Sequence, residues 1–146
     1  LGFTTGGYVG HGETYWNEEE VLWWSKGGEL HGDSAPRIAF LREIIEKTPE
    51  GGLYPLGMDP NARQVLPEGG WNRVAAGYNA EDYYLLYFGM HQPRFRNFSL
   101  PDGGYRVDLI DTWNMTVDTL MDDACGDIRV ELPRRKYLAL RVVRNS

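Results

Sequence analysis

The sequence predicts a mainly β protein: a small antiparallel β-sandwich of about seven strands, preceded by a glycine- and tryptophan-rich segment and one helix. Three observations predict it. Apolar and polar residues alternate in short runs over the second half of the chain, turn residues separate those runs at regular spacing, and one amphipathic helix stands alone ahead of them.

Residues 1 to 33 come first. They hold eight of the 18 glycines and three of the five tryptophans, with neither helical nor strand periodicity over any useful length. Backbone this rich in glycine is costly to order, and its aromatics offset that cost only by burial or by ligand contact. Residues 34 to 48 predict the helix. Asp33 or Ser34 caps it and Pro36 fits its first turn, where a missing N–H costs nothing. Ile38, Phe40, Leu41, Ile44 and Ile45 share one face, and Pro49 with Gly51-Gly52 ends it. That face must pack on the flank of the sandwich, on another chain or on another domain. Residues 49 to 72, with Pro49, Pro55, Pro60 and Pro67, read as a linker.

Residues 73 to 146 read as the sandwich. Arg73 to Tyr78 and Asp82 to Phe88 are β-rich runs around an Asn79-Ala80-Glu81 turn. Tyr105, Val107 and Leu109 alternate with polar residues, as do Ile128, Val130 and Leu132, and again Leu138, Leu140 and Val142. Turns are expected at Pro101 to Gly104, at Asp122 to Gly126 and at Pro133 to Lys136. Spacing of this kind is that of a small sandwich.

Composition and charge narrow the function. A net charge of −6 argues against duplex nucleic-acid binding, which needs a positive footprint; the short run Arg134-Arg135-Lys136 reads as a solvated turn. No apolar run approaches the roughly 18 residues of a membrane-spanning helix. The single cysteine, Cys125, rules out an intrachain disulfide and a cysteine zinc cluster, and neighbouring acids disfavour its thiolate. The chain opens mid-pattern at Leu1 with no basic and apolar leader and reads as a piece of something longer or as a cut expression product, while the lone cysteine leaves the compartment open, leaning cytoplasmic.

The densest polar constellation is His11-Gly12-Glu13-Thr14-Tyr15. On an extended segment His11 and Glu13 point the same way, and flanking glycines let a ligand approach the backbone. They form either a binding or acid–base pair walled by Tyr15, Trp16, Trp23 and Trp24, or an internal hydrogen bond that holds a glycine-rich turn. Trp23 and Trp24 form either an aromatic platform for sugar rings or plugs in a core gap. His31 follows in the same loop. His11, Glu13 and His31 lack metal-ligand spacing, so no metal and no cofactor is assigned. Asp111 to Thr116 suits a tight turn between strands, because Asp111 and Asn114 bond backbone locally. No convincing pair of catalytic carboxylates exists within the chain, and no catalytic residue is assigned.

Gly7-Tyr8-Val9-x-His11-Gly12-Glu13-Thr14-Tyr15, Leu22-Trp23-Trp24-Ser25-Lys26-Gly27-Gly28-x-Leu30-His31-Gly32 and the helix from Arg37 to Arg42 resemble the last strand, loop and helix of a bacterial glycoside hydrolase group with a cellulase-like (β/α)8 barrel. Tyr87-Phe88-Gly89-x-His91-Gln92-Pro93 and Ile110 to Thr116 resemble the β-sandwich domain of unknown function that follows that barrel. The resemblance implies a barrel remnant over 1–48, a linker over 49–72 and a C-terminal sandwich over 73–146. It implies a carbohydrate partner, with His11, Glu13, Tyr15, Trp23, Trp24 and His31 beside the sugar, since loops after barrel strands lie on the catalytic face. The two carboxylates that glycosidases generally need are then expected upstream. A remnant exposes apolar surface, so self-association is expected as well. The alternative is a non-catalytic module binding carbohydrate or a matrix protein. It would show an exposed aromatic row, for which Tyr83, Tyr84, Tyr87 and Phe88 are candidates.

Overall fold

A computed structural model of the 146-residue chain describes residues 2–5, 7, 34–56, 65 and 74–146. A 3-10 turn at Phe3–Thr5 comes first, then helix α1 (Ser34–Glu46). Eight strands follow: β1 (Tyr54–Pro55), β2 (Ala75–Asn79), β3 (Tyr83–Tyr87), β4 (Phe95–Ser99), β5 (Tyr105–Asp111), β6 (Thr116–Ala124), β7 (Asp127–Glu131) and β8 (Leu138–Arg144). They form a six-stranded antiparallel sheet in the order β1-β2-β3-β8-β5-β6 and a separate ribbon, β4-β7.

The ribbon covers one face of the sheet. Phe98 and Val130 reach down from it onto Tyr84 and Leu86 of β3, Val107 of β5 and Leu140 of β8. This is the sandwich core that the alternation predicts, with inward residues every second position. The last strand in the chain, β8, lies in the middle of the sheet, paired to β3 on one side and β5 on the other.

The other face is covered too. Ile44 of α1 and Leu53 bury themselves against Tyr83, Leu85, Ile110 and Ala139, with Phe3 and Phe40 packed around them. The flank of the sandwich is therefore where the helix packs. Burial on both faces explains why Tyr83-Tyr84-Leu85-Leu86-Tyr87 is a continuous apolar run and not an alternating one. The N-terminal turn comes so close that a Cβ added to Gly77 would meet the Thr4 carbonyl oxygen at 2.5 Å, so only glycine fits there.

The described residues form eight strands against the expected seven or so, and the differences have identifiable causes. Tyr54–Pro55 lies in the segment that reads as a linker, yet it pairs with Gly77 and Tyr78 as a two-residue edge, a place where proline is tolerated. The turn expected over Asp122 to Gly126 shrinks to Cys125-Gly126, because β6 runs on to Ala124. Two register shifts against β5 interrupt the alternation of β6, and one of them leaves Leu120 without a Cα partner. The bulges and the exposed Asp118, Asp122 and Asp123 blunt an edge that would otherwise invite another strand.

Candidate functional site

Three connections meet at one end of the sheet: the β3–β4 loop, the β5–β6 turn and the β7–β8 loop. Their meeting point is Tyr137. Its N–H donates to the Gly89 carbonyl at 2.6 Å, and its own carbonyl accepts from Thr112 N–H and Thr112 Oγ1 at 3.0 and 2.6 Å. Its ring stacks on Trp113, with centroids 5.5 Å apart and planes 23° apart. Tyr137 takes a left-handed backbone, φ 61°, uncommon for a residue with a side chain. The two distinctive sequence segments, 87–93 and 110–116, are thus joined through one residue.

The β5–β6 turn is built on Asp111, as its residue types predict. The Asp111 carboxylate accepts from the N–H groups of Trp113 and Asn114 at 3.0 and 2.9 Å and from Asn114 Nδ2 at 2.9 Å. Arg135, from the basic run read as a solvated turn, pairs with it at 3.1 Å. Burial pushes the Asp111 carboxyl up, but the donors from Asn114 and Trp113 and the charge of Arg135 outweigh it and hold it below its ordinary value. A carboxylate so engaged stays ionised and suits no proton transfer at neutral pH.

Trp113 remains 58% exposed. Besides the stack on Tyr137 it holds Arg37 of α1, whose guanidinium carbon lies 4.3 Å from the ring centroid and whose Nη1 donates to the Trp113 carbonyl at 2.9 Å. Arg37 also lines a cavity of about 240 Å³ between the helix and the sheet, walled chiefly by Phe3, Phe40, Leu41, Leu85 and Ile110.

A second polar cluster is buried under the helix side of the sheet. Arg141 Nε and Nη2 donate to Asp108 Oδ2 at 2.9 and 2.7 Å, and Thr119 Oγ1 donates to Asp108 Oδ1 at 2.8 Å. Burial pushes the Asp108 carboxyl up. The donors Arg141 and Thr119 and the charges of Arg141 and Arg106 more than reverse this and leave it low. The Tyr83 phenol is pushed up to about 12, mainly by burial and against the opposing charge of Arg141. Sequence reading takes Arg106 and Asp108 for outward polar positions. The signal that this face is covered was present in Leu85 and Ile110, apolar residues on the same face.

The aromatic row has its answer here. Tyr83, Tyr84 and Phe88 are buried core side chains and Tyr87 is partly buried, so they present no exposed platform. His11, Glu13, Tyr15, Trp23, Trp24 and His31 lie outside the described residues. Among the described residues no group of three or more His, Cys, Asp or Glu is placed to hold a metal ion, and no helix is long and apolar enough to cross a membrane.

The chain is 27% identical to a "putative glycoside hydrolase" from Bacteroides vulgatus ATCC 8482, with a TM-score of 0.70 over 99% of this chain and 30% of that one. A further glycoside hydrolase structure is 15% identical, with a TM-score of 0.54 over 75% of this chain and 25% of its own. A family 5 glycoside hydrolase from the same Bacteroides strain is 14% identical, with a TM-score of 0.56 over 74% and 24%. The last two likenesses show the fold alone. The chain spans less than a third of the length of each of these neighbours. No curated protein matches it. A model of a domain of unknown function, DUF5605, matches residues 71–143, from just before β2 almost to the end of β8. That match takes in half of the chain, and the chain belongs to the DUF5605 family.

Proposed function

We propose that the chain is the C-terminal part of a glycoside hydrolase, in which residues 1–48 are the last strand, loop and helix of a (β/α)8 barrel, 49–72 connect, and 73–146 are an accessory sandwich. The observation that carries this reading is the likeness over 99% of the chain to a much longer chain described as a glycoside hydrolase. The outer side of α1 supports it. Ile38 is 42% exposed, and Leu41, at the rim of the helix–sheet cavity, is 48% exposed, on a helix that already rests on the sheet through Ile44. An apolar face left over on a docked helix suits a barrel wall, and it also gives the chain on its own a surface for self-association.

In this reading His11, Glu13, Tyr15, Trp23, Trp24 and His31 line the sugar site from one side. The indoles supply apolar walls for sugar C–H faces, and His11 and Glu13 supply hydrogen bonds to hydroxyls. The carboxylates that cleave the bond stand on earlier barrel strands, so this chain alone contributes binding and not the reaction.

The test begins with the coding sequence upstream of Leu1 and continues with the whole polypeptide it encodes. A barrel-length frame is expected. In that protein Trp23→Ala and Glu13→Gln raise KM for an oligosaccharide about tenfold and change kcat less, the signature of lost binding. Two results overturn the proposal: the absence of any such frame, or hydrolysis of an aryl glycoside by the 146-residue chain alone that disappears in Glu13→Gln.

A further inference from the structure

We infer that α1 is a hinged strap, latched to the sandwich through Arg37 and Trp113 and pivoting about residues 48–52. The inference concerns the 146-residue chain by itself and stands apart from the glycosidase reading, in which further barrel elements would also hold α1.

The C-terminal end of the helix is the fixed end. Thr48 Oγ1 donates to the Ile45 carbonyl at 2.6 Å and closes the last turn. Gly51 and Gly52 then take φ of 89° and 74°, rotations that residues with side chains rarely adopt, and turn the chain back toward the sheet. Asn79 Nδ2 donates to the Glu50 and Gly52 carbonyls at 3.0 and 2.7 Å, and Leu53 is buried on the sheet just beyond. Each contact there is directional or buried.

The middle of the helix is held differently. Ile44 is buried against Leu85, Ile110 and Ala139, Phe40 is partly buried and Leu41 is largely exposed, and a cavity of about 240 Å³ lies beside these contacts. Apolar contact is non-directional, and a void removes part of it, so this surface alone does not set the helix angle. Among the described residues, the directional contact that sets the angle lies at the N-terminal turn. Arg37 reaches the Trp113 carbonyl and covers the indole, and the indole is braced in turn by Tyr137 and by the Asp111 turn. This gives an exposed tryptophan a task. Release of Arg37 lets the helix swing about Gly51-Gly52 and uncovers the sheet face beneath, while the sheet stays folded.

Native-state hydrogen exchange of the whole chain, resolved by residue, tests this. In Arg37→Ala, amides of α1 from Phe40 to Glu46 are expected to exchange about tenfold faster, while those of β3 and β8 change less than twofold. Trp113→Ala keeps its carbonyl and removes only the ring, so a smaller acceleration is expected. The double variant should match Arg37→Ala alone. Paired spin labels locate the pivot: with Cys125→Ser as background, labels at positions 38 and 117 should show a broader distance distribution in Arg37→Ala, while labels at 46 and 117 do not. Unchanged α1 exchange in Arg37→Ala overturns the latch. Equal acceleration of helix and sheet overturns the strap, and equal broadening at both ends overturns the hinge.

Discussion

Asp108 and Arg141 stand directly opposite each other in the β5–β8 pairing, both almost wholly buried, with two Arg141 nitrogens on one Asp108 oxygen at 2.9 and 2.7 Å. The pair sits in two central strands on the face that the helix side covers. Each charge depends on the other, because neither is exposed enough to recover water if its partner goes. Asp108→Leu or Arg141→Met is therefore expected to cost about 3–5 kcal/mol, the range for breaking a buried pair by removing one side. The double replacement Asp108→Leu with Arg141→Met should be more stable than either single change, since it leaves no lone charge. Urea denaturation of the four proteins checks this. A double variant as weak as the sum of the two single changes would show that the two side chains are not coupled and would overturn the orphaned-charge account.

Stability should fall at both ends of the pH range. Asp108 and Asp111 are held below the ordinary carboxylate value of about 3.9 by their donors. As pH drops below about 4 the unfolded chain takes up protons that these groups refuse, so their contribution is complete above that pH and drains away beneath it. At the alkaline end the sign is reversed. Tyr83 is raised to about 12 by burial, and Tyr84 and Tyr105 are raised by the same cause. Between about pH 10 and 12 the unfolded chain releases protons that the folded chain keeps, and stability declines as pH rises. Calorimetric Tm from pH 2 to 12 should trace both limbs, with a shallower alkaline limb in Tyr83→Phe. A flat Tm from pH 10 to 12 would contradict the burial of these phenols.

How far such features can be read in advance depends on whether a local pattern encodes them. β7 alternates because its inward residues meet one core, β5 and β8 keep a polar alternation through Asp108 and Arg141 although both their faces are covered, and the Asp111–Asn114 turn is written in residues that bond their own backbone. β6 escapes pattern reading because its bulges break the period of two and its acids belong to an edge. β1 escapes because two residues, one of them proline, carry no period at all. The Asp108–Arg141 pair and the Arg37–Trp113 contact join residues 33 and 76 positions apart, and no local rule encodes such a meeting. The candidate sugar-site residues are a different case. Indoles and glycines at 11–31 identify side chains suited to touch a ligand, while their mutual placement depends on neighbours that composition does not specify.

Tyr137 separates two demands that one side chain meets at once. Its ring stacks on Trp113, worth about 0.5–1.5 kcal/mol in comparable pairs, while its backbone sits at φ 61°, where an L-residue is strained. Tyr137→Phe keeps both the ring and the strain and should be nearly neutral. Tyr137→Ala loses the ring and keeps the strain. Tyr137→Gly loses the same ring but relieves the backbone, so it should be more stable than the alanine variant by up to about 1 kcal/mol, despite the greater freedom glycine adds to the unfolded chain. The expected order of urea midpoints is therefore tyrosine and phenylalanine together, then glycine, then alanine. Alanine above glycine would mean that the left-handed backbone at this junction carries no strain. The stack with Trp113 would then be the whole reason for an aromatic residue where the β3–β4, β5–β6 and β7–β8 connections meet.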